Sequence, residues 1–197
     1  MEYSPLLGGL PRRRIPVGEE QGRQIDQQFV REFLDRLRVA INSQDADRLA
    51  SLCTEDVVWE DPGAPEPLRG REAFRDYHRK VLFRAFPDAQ VELVDGPYVS
   101  LNGTKAAARW RFVGTMLGPV EPPGYAPTGT RIAFETAEFY EFRDGLLSRG
   151  AVVMDMLGVG RQIGLIPKPG SFSERIGIFL QRLAARRRRS RRAEGSR

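Results

Sequence analysis

The sequence has very few of the residues that build disulfide frameworks and metal centres. It contains one cysteine, Cys53, and one histidine, His78, among 197 residues. A lone cysteine excludes a disulfide framework and a cysteine-rich zinc site, and a lone histidine excludes a pair of histidine ligands on one metal. No apolar run approaches the roughly 18 residues that span a bilayer, and residues 1–20 contain no continuous apolar core of the secretory type. We therefore expect a soluble, metal-free, cytoplasmic protein.

The composition is that of a folded domain with a basic extension. Hydrophobic residues make up 41% of the chain, which is enough to form a core. The pI is about 9.8, but eight arginines lie in residues 182–197, so the rest of the chain is mildly acidic. We predict an irregular arm over residues 1–23, one domain over 24–167 and a C-terminal tail over 168–197.

The basic tail has two interpretations. A run of like charges at a terminus is typical of a solvated, disordered extension. Alternatively, residues 173–189 form a basic amphipathic helix, because Ile176, Phe179, Leu180 and Leu183 recur at helical spacing beside arginines. Such a helix could contact an anionic membrane or nucleic acid. The body has no basic patch with interleaved aromatics, which disfavours nucleic-acid recognition.

The first half of the domain has the periodicity of helices. Apolar residues recur on one side from Gln24 to Asn42 and from Glu72 to Phe86. Asp45 is placed to cap a short helix between these two segments. The β-rich run 57–59 ends before a proline-glycine turn, which predicts a short strand.

The second half has the pattern of strands. Four segments are rich in β-branched and aromatic residues: Gln90–Leu101, Lys105–Gly114, Arg131–Arg143 and Leu146–Met154. Asn-Gly and Asp-Gly pairs separate them as tight-turn signals, and a loop rich in proline and glycine fills 115–130. Helices followed by an antiparallel meander predict an α+β domain, with N-terminal helices packed on a curved antiparallel sheet. The space between these layers would be an apolar pocket.

Several short motifs resemble known families. The stretches Val58-Trp59-Glu60-Asp61-Pro62 and Gly70-Arg71-Glu72-Ala73-Phe74 resemble a segment of bacterial ketosteroid isomerases. Pro127-Thr128-Gly129 and Phe142-Arg143-Asp144-Gly145 resemble the SnoaL-type polyketide cyclases. Both families have the cone-shaped α+β fold of the nuclear transport factor two-like superfamily. The resemblance therefore implies this fold over roughly residues 25–165, and a homodimer.

The resemblance also implies roles for three carboxyl groups. Asp61 falls where the isomerases have their general base, and Glu138 falls where they have a carboxylic acid that donates to the substrate oxyanion. Asp155 is a candidate for the catalytic aspartate of the cyclases. Leu37 stands where the isomerases have their oxyanion tyrosine, and this departure argues against steroid isomerisation.

These roles predict a cofactor-independent acid/base enzyme, an isomerase or an aldol-type cyclase. Its substrate would be an apolar polycyclic or polyketide-derived carbonyl compound, because proton abstraction beside a carbonyl needs a base and a donor in a water-poor pocket. No flavin, nucleotide or metal motif is present. We expect five aromatic side chains to line the pocket: Trp59, Tyr77, Trp110, Phe112 and Tyr140.

Other interpretations of the same residues stay open. Asp61 could cap a turn, Glu138 could be a solvated strand residue, and Asp155 could be only a helix N-cap. His78 is expected at the surface and Cys53 in the core. Two other functions are also open: a non-catalytic binding module of the same fold, and an epoxide hydrolase that uses Arg109 or Arg111 between two aspartates.

Overall fold

Two helices open the part of the chain that the computed structural model describes, residues 25–194, with side chains described as far as residue 185. Helix α1 spans Gln27–Asn42 and helix α2 spans Ala46–Ser51. Asp26 and Asp45 cap them, each by accepting a hydrogen bond from the backbone N–H three residues on. The predicted cap at Asp45 is thus present. The predicted irregular arm over 1–23 lies outside the described residues.

A third helical segment contains an irregular turn. Helix α3 spans Arg71–Tyr77, a π-helical turn spans His78–Leu82, and the short helix α4 spans Phe83–Ala85. The sequence predicts one continuous helix over this segment. A π-helical turn has one more residue per turn than an α-helical one, and such turns are frequent at functional sites.

The sheet contains the five predicted strands, including a longer one around the run 57–59, and one more at Leu68–Arg69. Its strands are β1 Cys53–Glu60, β2 Leu68–Arg69, β3 Gln90–Val99, β4 Lys105–Thr115, β5 Arg131–Arg143 and β6 Leu146–Met154. Their order is β2-β1-β6-β5-β4-β3. All neighbours are antiparallel except β1 and β6, which are parallel. The predicted antiparallel meander is therefore confirmed, and β1 extends it at the β6 edge.

The core lies between the concave face of the sheet and α1. From α1, Phe33 is buried and its ring lies edge-on to Tyr140 of β5, with ring centroids 6.0 Å apart. Cys53 is buried here, as predicted. Gly150 of β6 lies against the indole of Trp59, since a Cβ at this position would come within 2.1 Å of the ring. The glycine therefore leaves room for the indole of Trp59 against β6.

Two helices follow the sheet. Helix α5, Met156–Gln162, lies with the loop 116–130 at the open end of the cone. Helix α6, Phe172–Glu194, forms in the predicted tail, and its apolar residues are exposed, for example Phe179 and Leu180. No helix within 25–194 is long and apolar enough to cross a membrane. Contact of α6 with an anionic surface stays a prediction.

Candidate functional site

The space between sheet and helices is a cavity in two parts. The outer chamber, about 370 Å³, has mainly apolar walls, to which the loop after β1, the loop 116–130 and α5 contribute. The inner chamber, about 80 Å³, lies between α1, the π-helical turn and the concave face of the sheet. Five residues line both chambers: Asp61, Leu82, Phe112, Phe134 and Met154. Asp61 therefore stands at the junction.

Asp61 directly follows β1, where the chain leaves the sheet. Its Oδ1 accepts a hydrogen bond of 2.7 Å from the backbone N–H of Gly63, so it does stabilise the turn. Burial raises the pKa of Asp61, and the N–H groups of Gly63 and Trp59 lower it by a smaller amount. A Cβ at Gly63 would lie 2.9 Å from the hydroxyl of Tyr77 and 3.1 Å from Asp61 Oδ1. Glycine thus leaves room for both oxygens.

Glu138 lies on the concave face of β5 and lines the inner chamber. Its Oε1 accepts from the Thr136 hydroxyl at 3.1 Å, and its Oε2 accepts from the Tyr140 hydroxyl at 2.8 Å. Burial raises the pKa of Glu138 to about 7, the two hydroxyls oppose this, and the negative charge of Asp61 adds to it. The two carboxyl groups are therefore close enough to influence each other.

A chain of hydrogen bonds fixes where Glu138 carries its proton. The indole N–H of Trp110 donates to the Tyr140 oxygen at 2.7 Å. Because an indole can only donate, the Tyr140 oxygen is the acceptor and its own hydrogen points to Glu138 Oε2. Oε2 is therefore an acceptor in both protonation states, and the neutral acid holds its proton on Oε1. Tyr140, expected to line the pocket, is instead fully buried and positions Glu138.

His78 also belongs to the site, although the sequence analysis placed it at the surface. Only 5% of it is exposed, and it lines the inner chamber. Its Nδ1 lies 2.7 Å from the carbonyl oxygen of Phe74, which can only accept, so Nδ1 carries the proton and Nε2 does not. Burial lowers the pKa of His78 to about 4. The ring is therefore neutral at pH 7.

The signal for His78 was present in the sequence. His78 stands four residues after Phe74 and four before Leu82, on the apolar side of its helix. Phe74 and His78 are in contact, with ring centroids 4.3 Å apart. This spacing is typical of a buried position, but histidine is polar and is therefore expected at the surface.

Trp59 brings a free donor to the same region. The side chain is 4% exposed, and its Nε1–H meets no acceptor at hydrogen-bond geometry among the residues with described side chains. It nevertheless lies near enough to Asp61 to lower the pKa of that carboxyl. A buried donor without a partner costs about 1–3 kcal/mol, so the indole is available to a ligand.

The other predicted aromatic side chains divide between the chambers. Trp59 and Trp110 line the inner chamber, Tyr77 lines the outer chamber, and Phe112 lines both. Phe112 stacks on Phe134 with ring centroids 4.8 Å apart. The two phenylalanines form the apolar wall that the chambers share.

The comparison with protein families identifies the fold family. The model of the SnoaL-like domain matches residues 30–150. The chain belongs to the SnoaL-like domain family. No curated protein matches it at a significant level. Structures similar to this SnoaL-like domain include proteins with a ketosteroid isomerase-like fold, so the predicted fold is confirmed.

Three solved structures illustrate the likeness. TsrD from Streptomyces laurentii is 26% identical with a TM-score of 0.60, over 73% of this chain and 100% of its own. A Jannaschia protein named as a SnoaL-like polyketide cyclase is 21% identical with a TM-score of 0.61, over 74% of this chain and 98% of its own. SalBIII, named as an epoxide hydrolase/cyclase-like enzyme, is 20% identical with a TM-score of 0.55, over 68% and 95%.

The remaining predicted residues of this SnoaL-like domain have other places. Asp155 is exposed, caps α5 by accepting from the Gly158 N–H at 2.9 Å, and lines neither chamber. Leu37 lines the inner chamber and makes that wall apolar. Arg109 is exposed and pairs with Glu135 at 2.5 Å. Of the side chains described, no arginine lines either chamber.

The described residues contain no group of three or more histidine, cysteine, aspartate or glutamate side chains that could hold a metal ion. The polar side chains that line the chambers include the carboxyl groups of Asp61 and Glu138, the imidazole of His78 and the indole of Trp59.

Proposed function

We propose that this SnoaL-like domain is a cofactor-independent acid/base enzyme that removes a proton beside the carbonyl group of an apolar substrate, as an isomerase or an aldol-type cyclase does. One observation carries the proposal. Asp61 and Glu138 both face a small chamber at the deep end of an apolar cavity. A carboxylate base and a carboxylic acid in a water-poor site are what enolate chemistry needs.

The electrostatic influence of Asp61 on Glu138 supports different roles for the two carboxyl groups. The charge of Asp61 is among the causes that raise the pKa of Glu138, whereas Glu138 is not among the causes of the shift at Asp61. We therefore assign the first ionisation to Asp61, so that between the pKa of Asp61 and about pH 7 the pair holds one proton, on Glu138. When two carboxyl groups have separated pKa values, the ionised one serves as base and the neutral one as acid.

The proposed step follows from these states. The Asp61 carboxylate takes the proton from the carbon next to the carbonyl, and the electron pair of the C–H bond moves towards the carbonyl oxygen. Glu138 donates its Oε1 hydrogen to an oxygen on which negative charge develops. In an isomerase the proton returns to another carbon. In a cyclase the enolate carbon attacks the carbon of a second carbonyl group, whose π electrons move to its oxygen, and this oxygen takes up the proton that Asp61 removed.

The outer chamber supports an apolar substrate. Its walls contain methyl, methionine and aromatic groups, with Asp61 at the inner end. The names of two similar proteins point to related chemistry: the Jannaschia protein is called a polyketide cyclase, and SalBIII is linked to pyran ring formation in the polyether salinomycin. We therefore place the substrate among polyketide-derived or similar polycyclic carbonyl compounds.

Exchange of hydrogen for deuterium in 2-tetralone tests the proposal, because it detects enolate formation without the natural substrate. We expect the protein to accelerate the loss of the α-proton NMR signals in D2O. Asp61→Asn should lower this acceleration about 100-fold or more, and Glu138→Gln should lower it less. Asp155→Asn is the matched control, because Asp155 lies outside the cavity; it should leave the rate unchanged.

Two outcomes would contradict the proposal. Equal exchange by wild type and Asp61→Asn would remove Asp61 as the base. Saturable binding of 2-tetralone to the wild type with no exchange above buffer would favour the binding module instead.

A further inference from the structure

Two polar atoms at the inner chamber take no part in the proposed step. One is Nε2 of His78, a hydrogen-bond acceptor because the ring proton is on Nδ1. The other is the Nε1–H of Trp59, a buried donor that lies near Asp61 but meets no acceptor at hydrogen-bond geometry among the described side chains. Buried polar groups are normally paired. We therefore expect a ligand that accepts a hydrogen bond from the indole N–H and donates one to the imidazole nitrogen.

We propose that the inner chamber recognises a hydroxyl group carried by the substrate near its reacting carbonyl, with His78 Nε2 as the acceptor. This inference rests on the proposed function and narrows its substrate class. The substrate is a hydroxylated or enolic carbonyl compound with an apolar body, in place of a simple ketone.

The polar groups of the inner chamber divide into donors and acceptors. Glu138 below pH 7 and the Trp59 indole are donors, and both suit a carbonyl oxygen. Asp61 is an acceptor, but the proposed step requires it at the carbon-bound proton. The Thr136 hydroxyl also lines the chamber but is already bonded to Glu138. His78 Nε2 bonds to no donor among the described residues, so we assign it to a hydroxyl hydrogen. A ligand with one carbonyl and one hydroxyl group matches this set, whereas a plain ketone leaves Nε2 without a donor.

The orientation of His78 is fixed by its surroundings. The Nδ1–H bond to Phe74 holds one side of the ring, and the ring contacts Phe74, Tyr77 and Phe83 with centroid distances of 4.3, 5.6 and 6.1 Å. His78 also begins the π-helical turn. An acceptor with a fixed orientation discriminates strongly between ligands with and without a matching donor. The ring cannot reorient to form a hydrogen bond with a different group.

The size of the chamber limits what enters it. A volume of about 80 Å³ has room for about five water-sized groups. The inner chamber therefore takes the carbonyl and hydroxyl end of the substrate, and the apolar body lies in the outer chamber.

Nitrogen NMR of the full chain tests the inference directly, because His78 is the only histidine. With ¹⁵N-histidine labelling, the free protein should show a protonated Nδ1 and an unprotonated Nε2. Three probes differ only at one position: 3-hydroxyacetophenone, 3-methoxyacetophenone and acetophenone. The hydroxy compound should shift the Nε2 signal in the direction of an accepted hydrogen bond, and the other two should not.

Affinities measured in the same titrations give a second readout. Because an unmatched buried acceptor costs about 1–3 kcal/mol, the hydroxy compound should bind about 10- to 100-fold more tightly than the methoxy compound. A protonated Nε2 in the free protein, equal Nε2 shifts with the hydroxy and methoxy compounds, equal affinities, or no binding of the hydroxy compound would each overturn the inference.

Variants of His78 separate positioning of the ring from recognition. The amide N–H of His78→Asn can replace Nδ1–H at the Phe74 carbonyl, but no acceptor remains at the place of Nε2. This variant should lose the preference for the hydroxy compound and keep its affinity for the methoxy compound. His78→Gln places an amide near Nε2 and should keep part of the preference. Deuterium exchange in 2-tetralone tests the proposed function separately, so either idea can fail alone.

Discussion

The inner and outer chambers differ in how their walls are built. In the inner chamber two polar groups are held by regular elements: Glu138 by two hydroxyls of its own strand, and His78 by the Phe74 carbonyl of the preceding helix. In the outer chamber much of the wall comes from the loop 116–130 and from α5. Sites built on regular elements are more precise than sites built on loops.

This difference suggests a division of labour. The inner chamber positions the reacting atoms, where an error of a fraction of an ångström costs rate. The outer chamber contacts the substrate body through apolar surfaces, where affinity depends mainly on the buried area. Substitutions in the inner chamber should therefore change the chemistry and its pH dependence, and substitutions in the outer chamber should change affinity.

The largest expected effect comes from removing the wall that the chambers share. Phe112 is 6% exposed and contacts Phe86 and Phe134, with ring centroids 5.5 and 4.8 Å away. Phe112→Ala should lower the free energy of unfolding in urea by about 3–5 kcal/mol, because it removes buried area and leaves a void. Phe112→Leu is the graded control and should lose clearly less. If both variants lost similar free energies of unfolding, the stability of this wall would not depend on the volume of the Phe112 side chain.

The second prediction concerns pH and Glu138. The pKa of Glu138 is about 7 in the folded protein, above its ordinary value of 4.5. The folded state therefore binds the proton more tightly, and stability is lost as the pH rises through 7. Between pH 5 and pH 8 the wild type should lose on the order of 2 kcal/mol of unfolding free energy, and Glu138→Gln should lose much less of it.

An exposed glutamate on the same strand provides the control for that experiment. Glu135 pairs with Arg109, and 46% of its side chain is exposed. Glu135→Gln should retain the stability loss of the wild type between pH 5 and pH 8. If Glu138→Gln retains it as well, burial of Glu138 is not its cause.

The third prediction concerns the Tyr140 hydroxyl, which connects Trp110 to Glu138 by hydrogen bonds. Tyr140→Phe deletes the hydroxyl that accepts from Trp110 and donates to Glu138. It should destabilise the fold by about 1–2 kcal/mol, because the buried indole N–H loses its partner. It should also raise the pKa of Glu138, and hence move the alkaline limb of the deuterium-exchange profile to higher pH.

Thr136→Val separates the two consequences. It removes the other hydroxyl that donates to Glu138 without depriving Trp110 of a partner. The alkaline limb should again move upwards, with a smaller loss of stability than in Tyr140→Phe. A limb that stays in place in both variants would show that Glu138 is not the titrating acid.

The sequence predicted most of the fold because its strongest signals are local. Asp144 and Gly145 both adopt positive φ, 53° and 77°, which is the conformation that the Asp-Gly signal requires in a two-residue hairpin turn. This turn sets the first pairs of β5 on β6, Arg143 with Leu146 and Phe142 with Leu147, before a bulge shifts the register. The period of two along β5 then places Glu138 and Tyr140 on one face.

The remainder depended on contacts between distant segments. Alternation along β5 places Tyr140 on the same face as Glu138, but it shows neither that this face is the concave one nor that α1 covers it. The parallel pairing of β1 with β6 joins residues 91 to 94 positions apart, and no local sequence pattern predicts it. The π-helical turn at His78 likewise follows from tertiary packing, so the orientation of the histidine could not be predicted from helical periodicity.

The smallest expected effect lies at the rim of the outer chamber. Leu165 lines this chamber and is 53% exposed. Leu165→Ser removes part of an apolar contact, so the affinity for 2-tetralone should fall about three- to fivefold. Affinity for the smaller acetophenone, the exchange rate of bound ligand and the unfolding free energy should stay close to wild type, the last within about 0.5 kcal/mol.

Leu101 is the matched control for Leu165, since it is fully exposed between β3 and β4 and lines neither chamber. Leu101→Ser should leave both affinities unchanged. A lower exchange rate of bound 2-tetralone in Leu165→Ser would mean that the outer rim also positions the reacting atoms. The contrast between a chamber for chemistry and a chamber for affinity would then fail, because a half-exposed leucine outside the inner chamber would be acting on the proton-transfer step itself.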